Sequence, residues 1–237
     1  LAEEEIRAGR YRGLLHGVTV AIKDLCYTAG IRTMGGLKVR QHFVPEFDAT
    51  VVRKLEEAGA VLLGKLNLTE GALSAYNPEF PIPKNPWGKE LWAGVSSSGS
   101  GVAVAAGLCF AAIGTDTGGS IRYPAMANGV TGLKPTYGRV SRHGVLALAE
   151  SLDHVGPMAR SVADAVALYN GIAGYDENDR TSLNLEDAQI AQPAATNLTG
   201  LRLGVDADWF SHGTDPGLLA LDNTRNVLLR NGTSLDI

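Results

Sequence analysis

The stretch GVSSSGSGVAVAAGLCFAAIGTDTGGSIRYPA, residues 94–125, decides the fold of this chain. It opens with a run of serines and glycines, continues through an alanine-rich apolar segment, and closes on a second glycine-rich loop. Glycines cluster where backbone approaches another group closely or takes unusual dihedral angles, and serines commonly cap helix N-termini. The pattern predicts a helix over residues 102–108 and a buried strand over residues 109–114, each next to a tight loop.

The residues alone leave several interpretations of this stretch open. The plainest is two turns around a buried helix and strand, because Gly/Ser loops are common. A phosphate cradle is disfavoured, since neither G-x-x-x-x-G-K-[ST] nor G-x-G-x-x-G occurs there. A nucleophilic Ser120 is a third interpretation, but the G-x-S-x-G and S-x-x-K motifs are absent around it. Another base would therefore have to activate that serine.

The stretch resembles the signature of the amidase signature family of serine hydrolases. That signature is roughly G-[GAV]-S-[GS]-[GS]-G, a spacer, and then a small residue followed by G-x-(acid)-x-G-x-S-(aliphatic)-R-x-P. The matching residues in this chain are Gly94, Val95, Ser96, Ser97, Ser98, Gly99, Gly114, Asp116, Gly118, Ser120, Ile121, Arg122 and Pro124. The large number of fixed positions makes this motif specific.

The resemblance implies a Ser–Ser–Lys triad in place of Ser–His–Asp. Ser120 matches the family's nucleophile, and Ser96 matches its bridging serine. Lys23 matches the lysine of an upstream G-x-x-x-x-x-K-D segment, here residues 17–24. The resemblance implies no cofactor and no metal ion.

The surroundings of Lys23 support its assignment as the base. Residues 18–23 are β-branched and apolar, which predicts a strand that carries Lys23 inward. Burial disfavours a charged amine and lowers its pKa, so that it can act as a base near neutral pH. Lys134 is a rival base and His154 would suggest a Ser–His enzyme, but the resemblance gives both residues non-catalytic places.

The resemblance also implies how the nucleophile is supported. The oxyanion would be held by the backbone N–H groups of one turn: Thr117, Gly118, Gly119 and Ser120. Ser97, Asp116 and Arg122 are expected to support the site, with Asp116 and Arg122 pairing to hold the turn. In the family the peptide before the bridging serine is cis, which here is the Val95–Ser96 bond.

The rest of the chain alternates strands and helices, which predicts an α/β fold. We expect helices over residues 48–59 (Asp48 as N-cap), 161–174 and 215–230, strands over 60–65, 201–205 and 233–237, and a long loop over 176–197. In the 161–174 helix we expect Val162, Ala163, Ala165 and Leu168 to face inward. The resemblance implies a mixed central sheet covered by helices on both faces, with only part of the family's sheet present. We expect a single domain over residues 1–237 that lacks the family's usual N-terminal helices and C-terminal portion.

Composition excludes several classes of protein. The chain has 237 residues, 45% of them hydrophobic, and a formal net charge of −4. Nothing is basic enough to suggest direct nucleic-acid binding, and no apolar run has the length of a membrane span. Cys26 and Cys109 have no metal-ligand spacing, so we expect buried free thiols and, without a recognisable secretory signal, a cytoplasmic protein.

The function that follows from the resemblance is an amidase. Such an enzyme hydrolyses the carbon–nitrogen bond of a small-molecule amide to a carboxylate and an amine or ammonia through an acyl-enzyme. One alternative is the glutamine-amidase (A) subunit of a glutamyl-tRNA(Gln) amidotransferase, although the Asp153-His154 pair fits general amidases better. The other alternative is an inactive, truncated amidase-like scaffold. An unfinished sheet edge would invite pairing, so a homodimer is expected.

Overall fold

The computed structural model describes residues 1–185, 189–190, 202–204, 206, 212–214 and 234–236. The chain forms two compact units, Leu1–Gln192 and Pro193–Ile237. In the second unit, the described strands β6 (Arg202–Gly204) and β7 (Ser234–Asp236) pair in parallel, where strands were predicted. The predicted helix over residues 215–230 and part of the predicted 176–197 loop lie outside the described residues. A single domain over residues 1–237 remains a prediction.

A five-stranded mixed sheet forms the centre of the first unit, with strand order β2-β1-β3-β5-β4. Its strands are β1 (Thr19–Lys23), β2 (Val61–Leu66), β3 (Ala111–Asp116), β4 (Thr131–Gly132) and β5 (His154–Ala159). Strand β1 is parallel to both β2 and β3, whereas β5 is antiparallel to β3 and β4. The predicted mixed sheet is therefore confirmed.

Helices cover both faces of this sheet, as predicted. The helices of this unit are α1 (Ala2–Arg7), α2 (Thr50–Glu57), α3 (Ser98–Ala105), α4 (Arg122–Asn128) and α5 (Val162–Ile172), with short 3-10 turns at Lys38–Arg40 and Glu70–Ala72. Helices α2 and α5 share one hydrophobic core with the sheet, and α3 and α4 contribute to separate cores with it.

The alternation of side chains along β1 determines where its lysine lies. Val20 and Ile22 belong to the core that includes α2 and α5, whereas Ala21 packs with Val104 of α3. Successive side chains of a strand point to opposite faces of the sheet. Lys23, two residues after Ala21, therefore leaves the strand on the α3 side.

Small residues let α3 approach its neighbours closely. A Cβ added at Gly99 would lie 2.4 Å from the carbonyl oxygen of Asn67. A Cβ at Gly101 would lie 2.7 Å from Asn128 Nδ2 and 2.8 Å from the carbonyl oxygen of Pro124. The glycines of the opening motif thus bring α3 against the end of β2 and against α4.

Some predicted boundaries and contacts are wrong. Asp48 does not cap α2, because its Oδ1 accepts a hydrogen bond from Ala29 N–H at 2.7 Å and Ala49 occupies the N-cap position. Helix α3 begins at Ser98, earlier than the predicted start at residue 102, because packing overrides the weak helix propensity of Ser and Gly. In α5, Ala165 and Leu168 are buried as predicted, but Val162 and Ala163 are exposed.

Both cysteines are free and buried, which confirms that prediction. Cys26 lies in the core beneath α2 and α5, and Cys109 lies in the core beneath α3. Burial raises the pKa of each thiol to about 11.

In the described part of the chain, no helix combines the length and the apolar character needed to cross a membrane.

Candidate active site

The amine of Lys23 lies in the interior among three hydroxyl groups. The side chain is fully buried. Its Nζ lies 2.7 Å from Ser96 Oγ, 2.9 Å from Ser97 Oγ and 2.7 Å from Thr115 Oγ1. Within the described residues, no carboxylate forms an ion pair with it. The arrangement supplies hydrogen-bond partners to the amine without supplying a counter-charge.

Burial lowers the pKa of Lys23 to about 7. The nearby ionisable groups of Cys26, Asp116 and Asp153 act in the opposite direction but do not compensate for the loss of solvation. A lysine with this pKa is substantially neutral at pH 7, which is the state required of a general base.

The two serines before α3 are fixed by their surroundings. The Val95–Ser96 peptide bond is cis, as the resemblance implied. The hydroxyl of Ser97 donates to the carbonyl oxygen of Thr115 at 3.1 Å and accepts from Thr115 N–H at 3.2 Å. Because its single proton is used in this way, Ser97 can only accept a hydrogen bond from Lys23.

Asp116 organises the turn that carries Ser120. Its Oδ1 accepts a hydrogen bond from Gly119 N–H at 2.8 Å, and its Oδ2 accepts one from Ile121 N–H at 3.0 Å. Arg122 binds the same carboxylate through Nε at 3.1 Å and Nη2 at 2.9 Å, which confirms the predicted pairing. Burial opposes ionisation, but the hydrogen bonds from Arg122 and the backbone hold the pKa of Asp116 below its ordinary value.

The four N–H groups predicted to hold an oxyanion differ in whether they already donate a hydrogen bond. The N–H of Gly119 is engaged by Asp116, so it is not free in this arrangement. For the N–H groups of Thr117, Gly118 and Ser120, no hydrogen-bond acceptor lies among the described residues. Three of the four donors therefore remain available.

Ser120 lies next to the serine pair through its backbone. Its carbonyl oxygen accepts a hydrogen bond from Ser97 N–H at 3.3 Å. The Ser120 side chain is half-buried, and its hydroxyl has no hydrogen-bond partner among the described residues. The structure therefore brings together Lys23, Ser96 and Ser97 by direct side-chain contact, and Ser120 by a backbone contact.

A cavity of about 260 Å³ adjoins this turn, and Thr115, Thr117 and Asp153 are among its lining residues. Thr117 Oγ1 donates a hydrogen bond to Asp153 Oδ1 at 2.6 Å. Sequence reasoning gave no role to these three side chains. Thr115 and Thr117 flank Asp116 within the matched motif, so their position was a signal that could have been used.

The rival catalytic residues take part in other contacts. Lys134 Nζ donates to the carbonyl oxygen of Pro135 at 2.9 Å. His154 Nδ1 lies 2.6 Å from the carbonyl oxygen of Leu152. In the described structure, no hydrogen bond joins either side chain to Ser96 or Ser120. The described residues also contain no group of three His, Cys, Asp or Glu side chains that could hold a metal ion.

Comparison with known proteins places this chain in a family. The model of the Amidase family matches residues 2–236. The chain is 58% identical over 178 residues to the putative amidase AmiD of Mycobacterium tuberculosis, covering 75% of this chain and 38% of that protein. It is 48% identical over 229 residues to the A subunit of the glutamyl-tRNA(Gln) amidotransferase of Carboxydothermus hydrogenoformans, covering 95% and 47%.

A solved structure agrees with this assignment. The peptide amidase of Stenotrophomonas maltophilia superposes with a TM-score of 0.84 at 40% identity, covering 99% of this chain and 50% of that one. The chain therefore belongs to the amidase family. It spans about half the length, or less, of the relatives that it matches.

Proposed function

We propose that this chain carries the hydrolytic centre of an amidase, in which Lys23, Ser96 and Ser120 form a Ser–Ser–Lys triad. The observation that supports this most directly is the 2.7 Å distance between Lys23 Nζ and Ser96 Oγ. The pKa of that lysine, lowered to about 7, gives the amine a neutral fraction able to accept a proton. Family membership supports the same reaction.

Proton transfer in this proposal follows from the hydrogen bonds. A neutral amine has two N–H donors and one lone pair, and Ser97 can only accept a proton. With Ser97 and Thr115 accepting the two N–H bonds, the lone pair of Lys23 faces Ser96. Ser96 then gives its proton to Lys23 and takes the proton of Ser120 as the Ser120 oxygen attacks the amide carbonyl. This relay activates a hydroxyl that is otherwise a weak nucleophile.

The two remaining steps complete the hydrolysis. The N–H groups of Thr117, Gly118 and Ser120 stabilise the tetrahedral oxyanion, and donors of this kind contribute about 10²–10³-fold in rate each. The carbon–nitrogen bond then breaks, and the amine leaves with a proton returned from Lys23 through Ser96. Water, deprotonated by the same relay, cleaves the acyl-enzyme and releases the carboxylate.

Labelling with a fluorophosphonate probe tests the triad. We expect the parent chain to label, Ser120→Ala to lose labelling, and Lys23→Met to label at least 10²-fold more slowly, since general-base catalysis contributes about 10²–10⁴-fold. Lys134→Met is the matched control and should label like the parent. A parent chain that melts cooperatively but does not label would refute the proposal and favour the inactive-scaffold alternative.

For the substrate, we propose a chemical class and one specific alternative. We propose a small-molecule amide, and the similarity to amidotransferase A subunits makes glutamine the second candidate. Ammonia release from glutamine can be compared with release from simple aliphatic and aromatic amides. Turnover of glutamine alone would favour the amidotransferase component, which requires partner subunits, over a free-standing amidase.

We also propose a homodimer and a cytoplasmic location. Strand β2 lies at an edge of the sheet, and two of its apolar side chains, Val61 and Leu63, are 38% and 53% exposed. Such an edge favours strand pairing between copies. Light scattering should show a dimer that Leu63→Lys converts to a monomer, whereas Leu73→Lys, at another exposed leucine, should not. The two buried free thiols are the support for a reducing compartment.

A further inference from the structure

We infer that Asp153 is a positioning residue for the oxyanion turn, acting through the hydroxyl of Thr117. The inference rests on the proposed function, because it concerns the N–H groups of that same turn. The loop that precedes β5 would thereby be part of the catalytic machinery.

Two carboxylates bracket the turn and hold opposite ends of it. Asp116 accepts the N–H groups of Gly119, Ile121 and Arg122, which all lie toward the C-terminal end. Asp153 accepts the hydroxyl of Thr117, at the N-terminal end, at 2.6 Å. The N–H groups of Thr117 and Gly118, which have no acceptor among the described residues, lie between these two attachments.

Asp153 is itself anchored, so it can impose a position on Thr117. Its Oδ2 accepts hydrogen bonds from Leu148 N–H at 2.8 Å and from Ala149 N–H at 3.0 Å. It directly precedes β5, whose first residue, His154, pairs with Asp116 in the sheet. The carboxylate is thus tied both to the cavity wall and to the strand that leads into the turn.

The hydroxyl of Thr117 can donate a single hydrogen bond, and Asp153 accepts it. This bond fixes the side-chain rotamer of Thr117 and, through its Cα, the direction of the neighbouring N–H groups. Oxyanion stabilisation depends on donors that are already in place before the charge develops. Loss of the bond should therefore slow attack without removing any group that touches the substrate.

The charge of Asp153 has a second, separable effect. The ionisable groups that face Lys23 are Cys26, Asp116 and Asp153, and each of them favours the protonated amine. Neutralising Asp153 should therefore lower the pKa of Lys23, so that the labelling rate rises at a lower pH. Removing the Thr117 hydroxyl leaves the charge of Asp153 in place and should not shift the pH midpoint of the rate. The pH midpoint therefore separates loss of the Asp153 charge from loss of the Thr117 hydrogen bond, and rescue by Thr117→Ser reports on the hydrogen bond itself.

The test is the second-order rate constant of fluorophosphonate labelling, measured across the pH range around 7 for four variants. Thr117→Val should be slower at every pH by about 10-fold or more, with an unchanged midpoint, since a small misplacement of catalytic groups has effects of up to about 10²-fold. Thr117→Ser should stay within about threefold of the parent, because it keeps the hydroxyl. Asp153→Asn should be slower and have a lower midpoint, and Thr136→Val, at an exposed threonine, should match the parent.

The outcomes separate this inference from the proposed function. Failure of the parent to label removes the proposed function and this inference with it. If the parent labels and Ser120→Ala does not, the proposed function stands and the variants decide the inference. Parent-like labelling of Thr117→Val, a Thr117→Ser rate as low as that of Thr117→Val, or parent-like labelling of Asp153→Asn at the high-pH plateau would each overturn it.

Discussion

At the scale of the residue, Lys23 shows how a fold sets a proton affinity. The amine contacts three hydroxyl groups, and no carboxylate pairs with it within the described residues. Hydroxyl groups partly replace water as hydrogen-bond acceptors, but they contribute no negative charge. The charged state of Lys23 is therefore disfavoured by burial, and the same property that makes the side chain a base also makes the folded state sensitive to pH.

This sensitivity gives a first prediction. The pKa of Lys23 is about 7 in the folded protein and about 10.4 in an unfolded chain. Between those values the unfolded state binds the extra proton, so the free energy of unfolding rises with pH by up to about 1.4 kcal/mol per pH unit. This stability is complete above the unfolded pKa and is lost as the pH falls toward 7.

Urea unfolding at pH 7 and pH 9 measures this effect, with Lys23→Met as the variant that lacks the titrating amine. Relative to Lys23→Met, the parent should gain about 2 kcal/mol over this interval. Equal changes in the two proteins would mean that Lys23 keeps an ordinary pKa, and would remove the main support for its role as the base.

At the scale of the element, the helix that follows the serine run depends on the absence of side chains. Gly101 faces Asn128 and Pro124 of α4 at distances that a Cβ could not occupy without movement. Alanine is favoured over glycine inside a helix by about 1 kcal/mol. Here the steric overlap of the added Cβ should outweigh that preference, because Asn128 and Pro124 both belong to a packed helix.

We therefore predict that Gly101→Ala lowers the free energy of unfolding by about 1–3 kcal/mol, the usual range for overpacking. It should also slow fluorophosphonate labelling, because α4 begins immediately after the Ser120 turn. Thermal melting and labelling rate are the measurements, with Val102→Ala as the neighbouring control. A Gly101→Ala protein more stable than the parent would show that α3 and α4 are not in close contact.

An element could be predicted from the sequence where its own local pattern of residues determines it. Strands β1 and β2 and helix α2 lie within a few residues of their predicted bounds, because their apolar periodicity is continuous. Strand β5 could not be predicted, since it contains Gly156 and Pro157, which disfavour a central strand. Helix α4 is short, contains Pro124, and shows no apolar stripe. Pairing and packing with distant residues decide both.

The same distinction applies to the candidate site. Lys23, Ser96 and Ser120 could be named from the sequence because they lie in motifs. The hydrogen bond that Lys23 donates to Thr115 and the one that Thr117 donates to Asp153 could not be predicted, because each joins segments far apart in sequence. The sequence also could not show which of the four predicted oxyanion donors is already bound. In the structure, Asp116 accepts a hydrogen bond from only one of them, the N–H of Gly119.

At the scale of the whole molecule, Asp176 ties the segment after α5 back to the rest of the first unit. It is buried, and its Oδ2 accepts hydrogen bonds from Thr50 and Ser141, both at 2.6 Å. Burial opposes ionisation, but the hydrogen bonds from Ser141, Thr50 and Asn178 hold the pKa of Asp176 well below its ordinary value. One carboxylate thus links the first residue of α2 to two separate loops.

Asp176→Ala should lower the free energy of unfolding by about 3 kcal/mol, because it leaves buried hydroxyl donors without an acceptor for charge-assisted hydrogen bonds. Glu177→Ala, at the exposed neighbouring residue, should change it by less than about 0.5 kcal/mol. Chemical denaturation of both variants measures the difference. Similar stabilities for the two proteins would contradict the linking role of Asp176.

The two cysteines have a practical consequence for following motions of the molecule. The thiolate is the nucleophile that reacts with alkylating reagents, and both thiols are buried with a pKa raised to about 11. Each thiol should therefore react only when its own core opens. Because Cys26 and Cys109 lie on opposite faces of the sheet, their two alkylation rates would report separately on the opening of each layer. Equal rates would indicate that both layers open in one cooperative step.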